Sequence, residues 1–288
     1  MALQLGFNAL ISGAIYSLVA MGVAVLYGTT RFFNLALGAV YTVAAYVAYS
    51  AWTHVGPIPA TLAAIAFCAV LNWTIDRFVF YSLRRRKSPP MILMLASFGI
   101  LIALQGAVAL IYSSNTLTLH GASWVDSSVR VLGAAITRQQ LMIVGVTVLS
   151  LAATVAIMRT RWGRTAQAVA SDALGASVVG VDSESTIGLA SLLGGALVGL
   201  AGVLIAMETN IEPAMGFDMI LKGMIASVAG GMGSIAGAVL GGLTVGSTEQ
   251  LAAWYLGADW SGAAAFVVLL LFLVFRPNGL LGRKEERY

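Results

Sequence analysis

Seven apolar runs, each about long enough to cross a lipid bilayer, organise this chain and leave room for few folds. A spanning helix needs roughly 20 mostly apolar residues to traverse a hydrocarbon core of about 30 Å. The runs are Leu5–Gly28, Leu35–Thr53, Ile58–Phe80, Pro90–Tyr112, Gln139–Met158, Ile187–Glu208 and Ser261–Phe275. A further apolar stretch, Phe217–Leu251, is too long for one ordinary span and is rich in glycine. Only 10% of the 288 residues are charged and 59% are hydrophobic, against about 25% charged in an ordinary soluble domain. So few charges cannot cover a water-exposed surface, which excludes a soluble enzyme, a nucleic-acid binder and a disordered scaffold. The expected fold class is all-α: a polytopic transmembrane helical bundle in which residues 1–288 form one domain and the glycine-rich helices are broken or re-entrant.

The basic residues set the topology. Arg84, Arg85, Arg86 and Lys87 separate the third and fourth runs, Arg159, Arg161 and Arg164 follow the fifth, and Arg276, Arg283, Lys284 and Arg287 follow the last. Arg31 lies between the first two. Short loops enriched in Lys and Arg mark the cytoplasmic side, so the net charge of +4 points to a membrane face and not to nucleic acid. The N-terminus then lies outside and the C-terminus inside. A cytoplasmic loop runs over about 159–186 and a polar external loop over about 113–138, and Lys222 falls outside. The protein is expected to be a multi-pass membrane protein.

Parity requires Phe217–Leu251 to enter and return to one face. It is either a re-entrant pair or two spans joined at Gly230-Gly231-Met232-Gly233-Ser234. Broken helices persist in a membrane only where protein or a water-filled cavity surrounds them, which places this segment near a pathway. The same residues also read as close helix packing. Gly233, Gly237 and Gly241 repeat at four-residue spacing, as do Gly242 and Gly246, and small residues so spaced let backbones approach.

Glu249 is the one carboxylate placed well within an apolar run here, where a charge is costly and must face protein, water or a partner. It lines a route or pairs with a base such as Lys222; the competing reading is a group snorkelling to the external face. Tyr16 and Tyr41 sit deep enough in the first two spans to line the route as well. With Asn34, Gly38, Gly230, Gly231, Gly233 and Ser234 these form the candidate translocation path. Asp76 and Arg77 read as an interfacial anchor. Glu208, Glu212 and Asp218 gather at the external mouth, where charge complementarity with a basic docking protein is one reading and a solvated loop the other. Neither histidine has the His, Cys, Asp or Glu company that a metal site needs.

The cytoplasmic loop carries a short helix over Arg164–Val179. Ala166, Val169, Ala170, Ala173 and Ala176 follow helical spacing on one face, with Asp172 elsewhere. Gly180 is placed to stop the helix and Asp182 to cap the next one. A small face of alanine and valine suits a partner's groove better than lipid, where larger apolar side chains are expected. A plain interfacial connector is the other reading.

Several stretches resemble one family. Ala168–Leu204, AVASDALGASVVGVDSESTIGLASLLGGALVGLAGVL, is similar to the matching part of LivH-type permeases of ABC importers for branched-chain amino acids. Gly13–Tyr46, with its Tyr-Gly before an Arg and Asn-x-x-x-Gly after it, resembles that family's opening. GGMGSIAGAVLGG at Gly230–Gly242 and FRPNGLLG at Phe275–Gly282 resemble its late segments. The resemblance implies an ABC importer permease with no enzymatic activity of its own. It would pair with a second, LivM-like permease, two cytoplasmic ATPase subunits that bind ATP and magnesium, and a periplasmic substrate-binding protein. No cofactor is expected in this chain, which has no G-x-x-x-x-G-K-[ST] phosphate loop. The loop helix would be the coupling element that docks on an ATPase, through Arg164, Ala166, Val169, Ala170, Asp172, Ala173, Ala176 and Gly180. One departure stands out: the family's Asn-Phe-Ala-His-Gly-acid reads Asn34-Leu35-Ala36-Leu37-Gly38-Ala39 here, so the histidine and the acid are replaced by Leu37 and Ala39. The alternative function is a stand-alone secondary transporter or channel, since glycine-broken helices also occur in ion-coupled carriers.

Overall fold

A computed structural model describes residues 2–113, 115–119, 128–131, 134–276 and 279–281. Twelve α-helices are present among them: α1 Ala2–Thr30, α2 Ala36–Val55, α3 Pro57–Ile75, α4 Tyr81–Arg85, α5 Pro90–Tyr112, α6 Arg138–Met158, α7 Arg161–Ser171, α8 Ala173–Val178, α9 Ser183–Glu208, α10 Met215–Gly230, α11 Ile235–Tyr255 and α12 Ser261–Phe275. A π-helical turn, Asp76–Phe80, joins α3 to α4, so the third span runs on from Pro57 to Arg85. Six helical segments are long and apolar enough to cross a membrane, and α10 with α11 forms a pair bent by 118° at its break. Helix α2 is less apolar, with tyrosines along it, yet its first ten residues are all buried. At 1.5 Å per residue its 20 residues still reach about 30 Å.

The all-α expectation holds for the membrane part, and one small sheet is added to it. Strands β1 Ser128–Val131 and β2 Ala134–Thr137 form an antiparallel hairpin just before α6. Residues 114, 120–127 and 132–133 of the expected external loop, and the terminal Arg283, Lys284 and Arg287, lie outside the described residues.

The centre of the bundle is α1, enclosed by α9, α10 and α11, with α2 behind α9 and α10; α12 is mostly exposed. Small residues set these distances. In α11, Gly241 and Gly237 lie against the α10 carbonyls of Ala226 and Gly230, while Gly242 and Gly246 lie against Ser17 and Gly13 of α1. The two four-residue glycine stripes therefore serve two different neighbours. In α9, Gly194 meets α1, Gly195 meets α3 and Gly202 meets the Tyr41 carbonyl of α2. Lipid tails are as apolar as leucine, so close dispersion contact and not the hydrophobic effect holds such helices together.

The break is where the sequence placed it. Gly231 and Gly233 take φ of 110° and 82°, values that side chains with a Cβ rarely adopt. Ser234 then caps α11 by accepting from the Gly237 N–H at 3.1 Å. The last carbonyls of α10 are not left orphaned. Leu280 and Leu281, beyond α12, donate their N–H groups to Ala229 and Gly230 at 2.9 Å each. The tip of the hairpin thus lies beside Gly28 at the end of α1 and beside the chain leaving α12. This is the basic end of the molecule, cytoplasmic by its charge. At the other end, α10 begins inside the bundle. Gln105, seven residues from the end of α5 and so about 10 Å inward, reaches the Ala214 carbonyl at 3.5 Å.

Candidate functional site

Two polar sites stand out, one within the bundle and one at its basic end. The inner site joins three helices. Lys222 of α10 donates to Glu249 Oε1 of α11 at 2.6 Å and to the Tyr16 hydroxyl of α1 at 3.2 Å. Tyr16 is the midpoint of α1, so the cluster sits near mid-bilayer. The Glu249 side chain is 9% exposed and that of Lys222 18%. Lys222 therefore does not lie outside, as the charge rule alone suggests; it is drawn into the bundle by a partner 27 residues away. Glu249 does not snorkel, because Lys222 compensates it in place. Glu249 Oε2 and the Tyr41 hydroxyl are buried without a hydrogen-bond partner among the described residues.

Asp218 belongs to the start of α10, recessed from the outer end of α5. It lies in the first turn of α10 and is exposed. Its neighbour Phe217 packs its ring against Phe98 of α5 at 6.3 Å, and the preceding Gly216 is pressed against Gly38 and Thr42 of α2. Asp218 stands one helical turn before Lys222 on the same face of α10. Of the other two expected mouth residues, Glu208 accepts from Gln140 of α6 at 2.9 Å and Glu212 is exposed.

The rest of the expected path divides. Gly230, Gly231, Gly233 and Ser234 build the break and cap at the basic end. Asn34 and Gly38 have clear local duties. Asn34 is buried and its side chain accepts the Ala36 N–H at 3.0 Å, starting α2. A Cβ on Gly38 would lie 2.6 Å from the Gly216 carbonyl oxygen, so this glycine permits the α2–α10 crossing. Leu37, at the departure from the family pattern, is 1% exposed and belongs to the core around α1.

At the basic end the loop helix is two helices, not one. It breaks at Asp172, whose φ of −153° and ψ of 105° are extended. Gly180, at φ 86°, ends the second piece, and Asp182 caps α9 by accepting from Glu184 and Ser185. The alanine face expected to await a partner is used within the chain. Ala166, Val169 and Ala176 are only 3–4% exposed, with α7 packed on α1, α6 and α9. The face turned outward carries Arg161, Arg164, Gln167, Ser171 and Asp172, followed by Val178 and Val179 at 87% and 79% exposure. Ala170 is half-buried, and the side chain of Ala173 lies outside the described residues. A small apolar face suits its own bundle as well as a foreign groove, which is why spacing alone misassigns it.

Two arginines that the sequence used only as topology markers tie this region together. Arg31 donates through Nε to the Ala170 carbonyl at 3.1 Å, and through a second guanidinium nitrogen to the same oxygen. That carbonyl lies in the last turn of α7, where orphan acceptors and the helix dipole favour a cation. Arg84 bridges Asp76 at 2.8 Å and Glu184 at 2.7 Å, fixing the start of α9 to the third span. Asp76, read from the sequence as part of an interfacial anchor, is thus a buried ion-pair partner at the basic end. Between the two arginines lies a cavity of about 460 Å³ lined by α1, α7 and α9.

A multi-pass helical bundle with a broken hairpin, a charge cluster near its middle and a helical loop presented at its basic end is the architecture of an integral membrane protein with a polar interior. The comparisons are specific. The pattern of the branched-chain amino acid transport system permease component family matches residues 5–274, and the chain belongs to that family. It is 33% identical to the high-affinity branched-chain amino acid transport system permease protein LivH of Salmonella typhimurium, over 98% of this chain and 96% of the relative. It is 34% identical to BraD of Pseudomonas aeruginosa at the same coverage, and 27% identical to a probable LivH of Methanocaldococcus jannaschii over 97% and 94%. The protein is a multi-pass inner-membrane permease.

Proposed function

We propose that this chain is one permease subunit of an ATP-binding-cassette importer for branched-chain or similar hydrophobic amino acids. The observation that carries this reading is a family match that leaves almost no part of the chain uncovered. A substrate-binding protein delivers cargo at the outer end. A second, LivM-like permease completes the route, and two ATPase subunits bind ATP and magnesium in the cytoplasm. The ATPase docks on the outward face of α7 and α8, where Arg164 and Gln167 supply polar contacts and Val178 and Val179 an apolar knob. The buried alanine face transmits the displacement to α1 and α9. No bond is made or broken in this chain.

The test is reconstitution in proteoliposomes with both permeases, the ATPases and the binding protein. Leucine, isoleucine or valine uptake that requires ATP supports the reading. Leucine flux by this chain alone, without ATP, overturns it and favours a carrier or channel. Val178→Glu checks the docking face, because its side chain touches little of its own fold. Loss of ATPase from the purified complex is expected; full association refutes the assigned face.

A further inference from the structure

The polar cluster at mid-bilayer has a composition that simple packing does not call for. We infer that Asp218, Lys222 and Glu249 form a head-group site for a zwitterionic amino acid, Lys222 taking the carboxylate and the two acids the ammonium; this rests on the transport reading above.

Three observations carry it. First, a buried ion pair is a poor device for holding helices together. Its desolvation cost offsets most of its attraction, and apolar side chains of similar volume often serve as well or better. The glycine contacts along α11 already hold α1, α10 and α11 in close register. Second, the cluster keeps unused bonding capacity. Glu249 Oε2 and the Tyr41 hydroxyl are buried and unpartnered among the described residues. Buried polar atoms normally find partners, so a site that exchanges partners during a cycle accounts for them better than a fixed staple does. Third, the cluster opens onto a surface. Lys222 is partly exposed, and Asp218, one turn away, is exposed at a depth set by Phe98 and Gln105 of α5. A carboxylate there cannot face hydrocarbon cheaply, so this side of α10 faces water or the partner permease.

The chemistry balances without moving a proton. When the cargo carboxylate takes Lys222, Glu249 is released to the cargo ammonium, and two charge-assisted contacts replace one. Uncharged amides or ureas offer nothing to exchange, so the site selects zwitterions over neutral solutes of similar size.

The experiment uses the reconstituted complex with two variants, Lys222→Met/Glu249→Leu and Asp218→Asn. The double change removes both charges together and leaves neither buried alone. A fixed staple tolerates it, whereas a head-group site does not. The expected result is normal complex yield, retained ATP hydrolysis in response to leucine-loaded binding protein, and leucine uptake lower by roughly 30-fold or more, as loss of charge-assisted contacts implies. Asp218→Asn is expected to raise the KM for uptake with normal yield. Wild-type uptake by the double variant overturns the site. So does failure of the double variant to assemble, since the pair is then structural. Absence of ATP-driven leucine uptake in the wild-type complex refutes the transport reading, and this site with it.

Discussion

Replacing Gly241 by alanine is expected to open the α10–α11 hairpin. A Cβ built there lies 1.9 Å from the carbonyl oxygen of Ala226, where ordinary contact begins at 3.4 Å. That oxygen belongs to the α10 backbone and cannot rotate aside, so the helices must separate by about 1.5 Å. A gap of 0.5–1 Å already forfeits about a quarter to a half of a dispersion contact, and overpacking a close core costs about 1–3 kcal/mol. A clash of Cβ against backbone belongs at the upper end of that range. Alanine returns about 0.5–1 kcal/mol through helix propensity. The net destabilisation is therefore about 2 kcal/mol, roughly a 30-fold change in the unfolding equilibrium. Gly145 on α6 is the control, since a Cβ there meets nothing within 4 Å and only the propensity gain remains. The assay is thermal unfolding of purified protein in mild detergent, followed by tryptophan fluorescence. Gly241→Ala should melt several degrees below wild type and Gly145→Ala at or slightly above it. Equal melting points would refute the claim that this stripe sets the α10–α11 distance.

Other perturbations test the basic end. Arg31→Ala removes both bonds to the Ala170 carbonyl; the ATPases should still co-purify, while leucine transported per ATP hydrolysed falls severalfold, and an unchanged ratio would show that this tie transmits nothing. Arg84→Met leaves Asp76 buried without its cation and should cost about 3 kcal/mol, read as a lowered melting point that Asp76→Leu in the same chain restores. Ala166→Glu puts a charge at a site only 4% exposed and should lower the yield of folded protein, whereas Gln167→Glu, on the outward face, should purify like wild type.

The spans, the break and the caps were legible because each depends on neighbours in sequence. Apolar length defines a crossing, Gly231 and Gly233 permit positive φ, and Ser234 and Asp182 sit where a helix start needs an acceptor. What escaped depends on register between distant helices. Lys222 reads as external by the charge rule even though the sequence also offers it as a partner for Glu249; the pair does form, but hydropathy cannot show that it forms within the bundle, because the break between the two helices decides where they meet. The depth of Asp218 was not legible, because nothing local says that α10 starts about 10 Å in from the outer end of α5. Asn34 and Gly38 form a conspicuous motif, yet they start a helix and permit a crossing, duties that leave the same trace in sequence as lining a route. The alanine face of α7 shows the ambiguity most plainly. Small residues at helical spacing state that something packs closely without stating what, and here the partner is the chain's own α1, α6 and α9. Under the proposed importer reading, the surface left for an ATPase is the polar and valine-tipped side that periodicity discounts, and coupling would act through a helix already wedged into the bundle and held by Arg31.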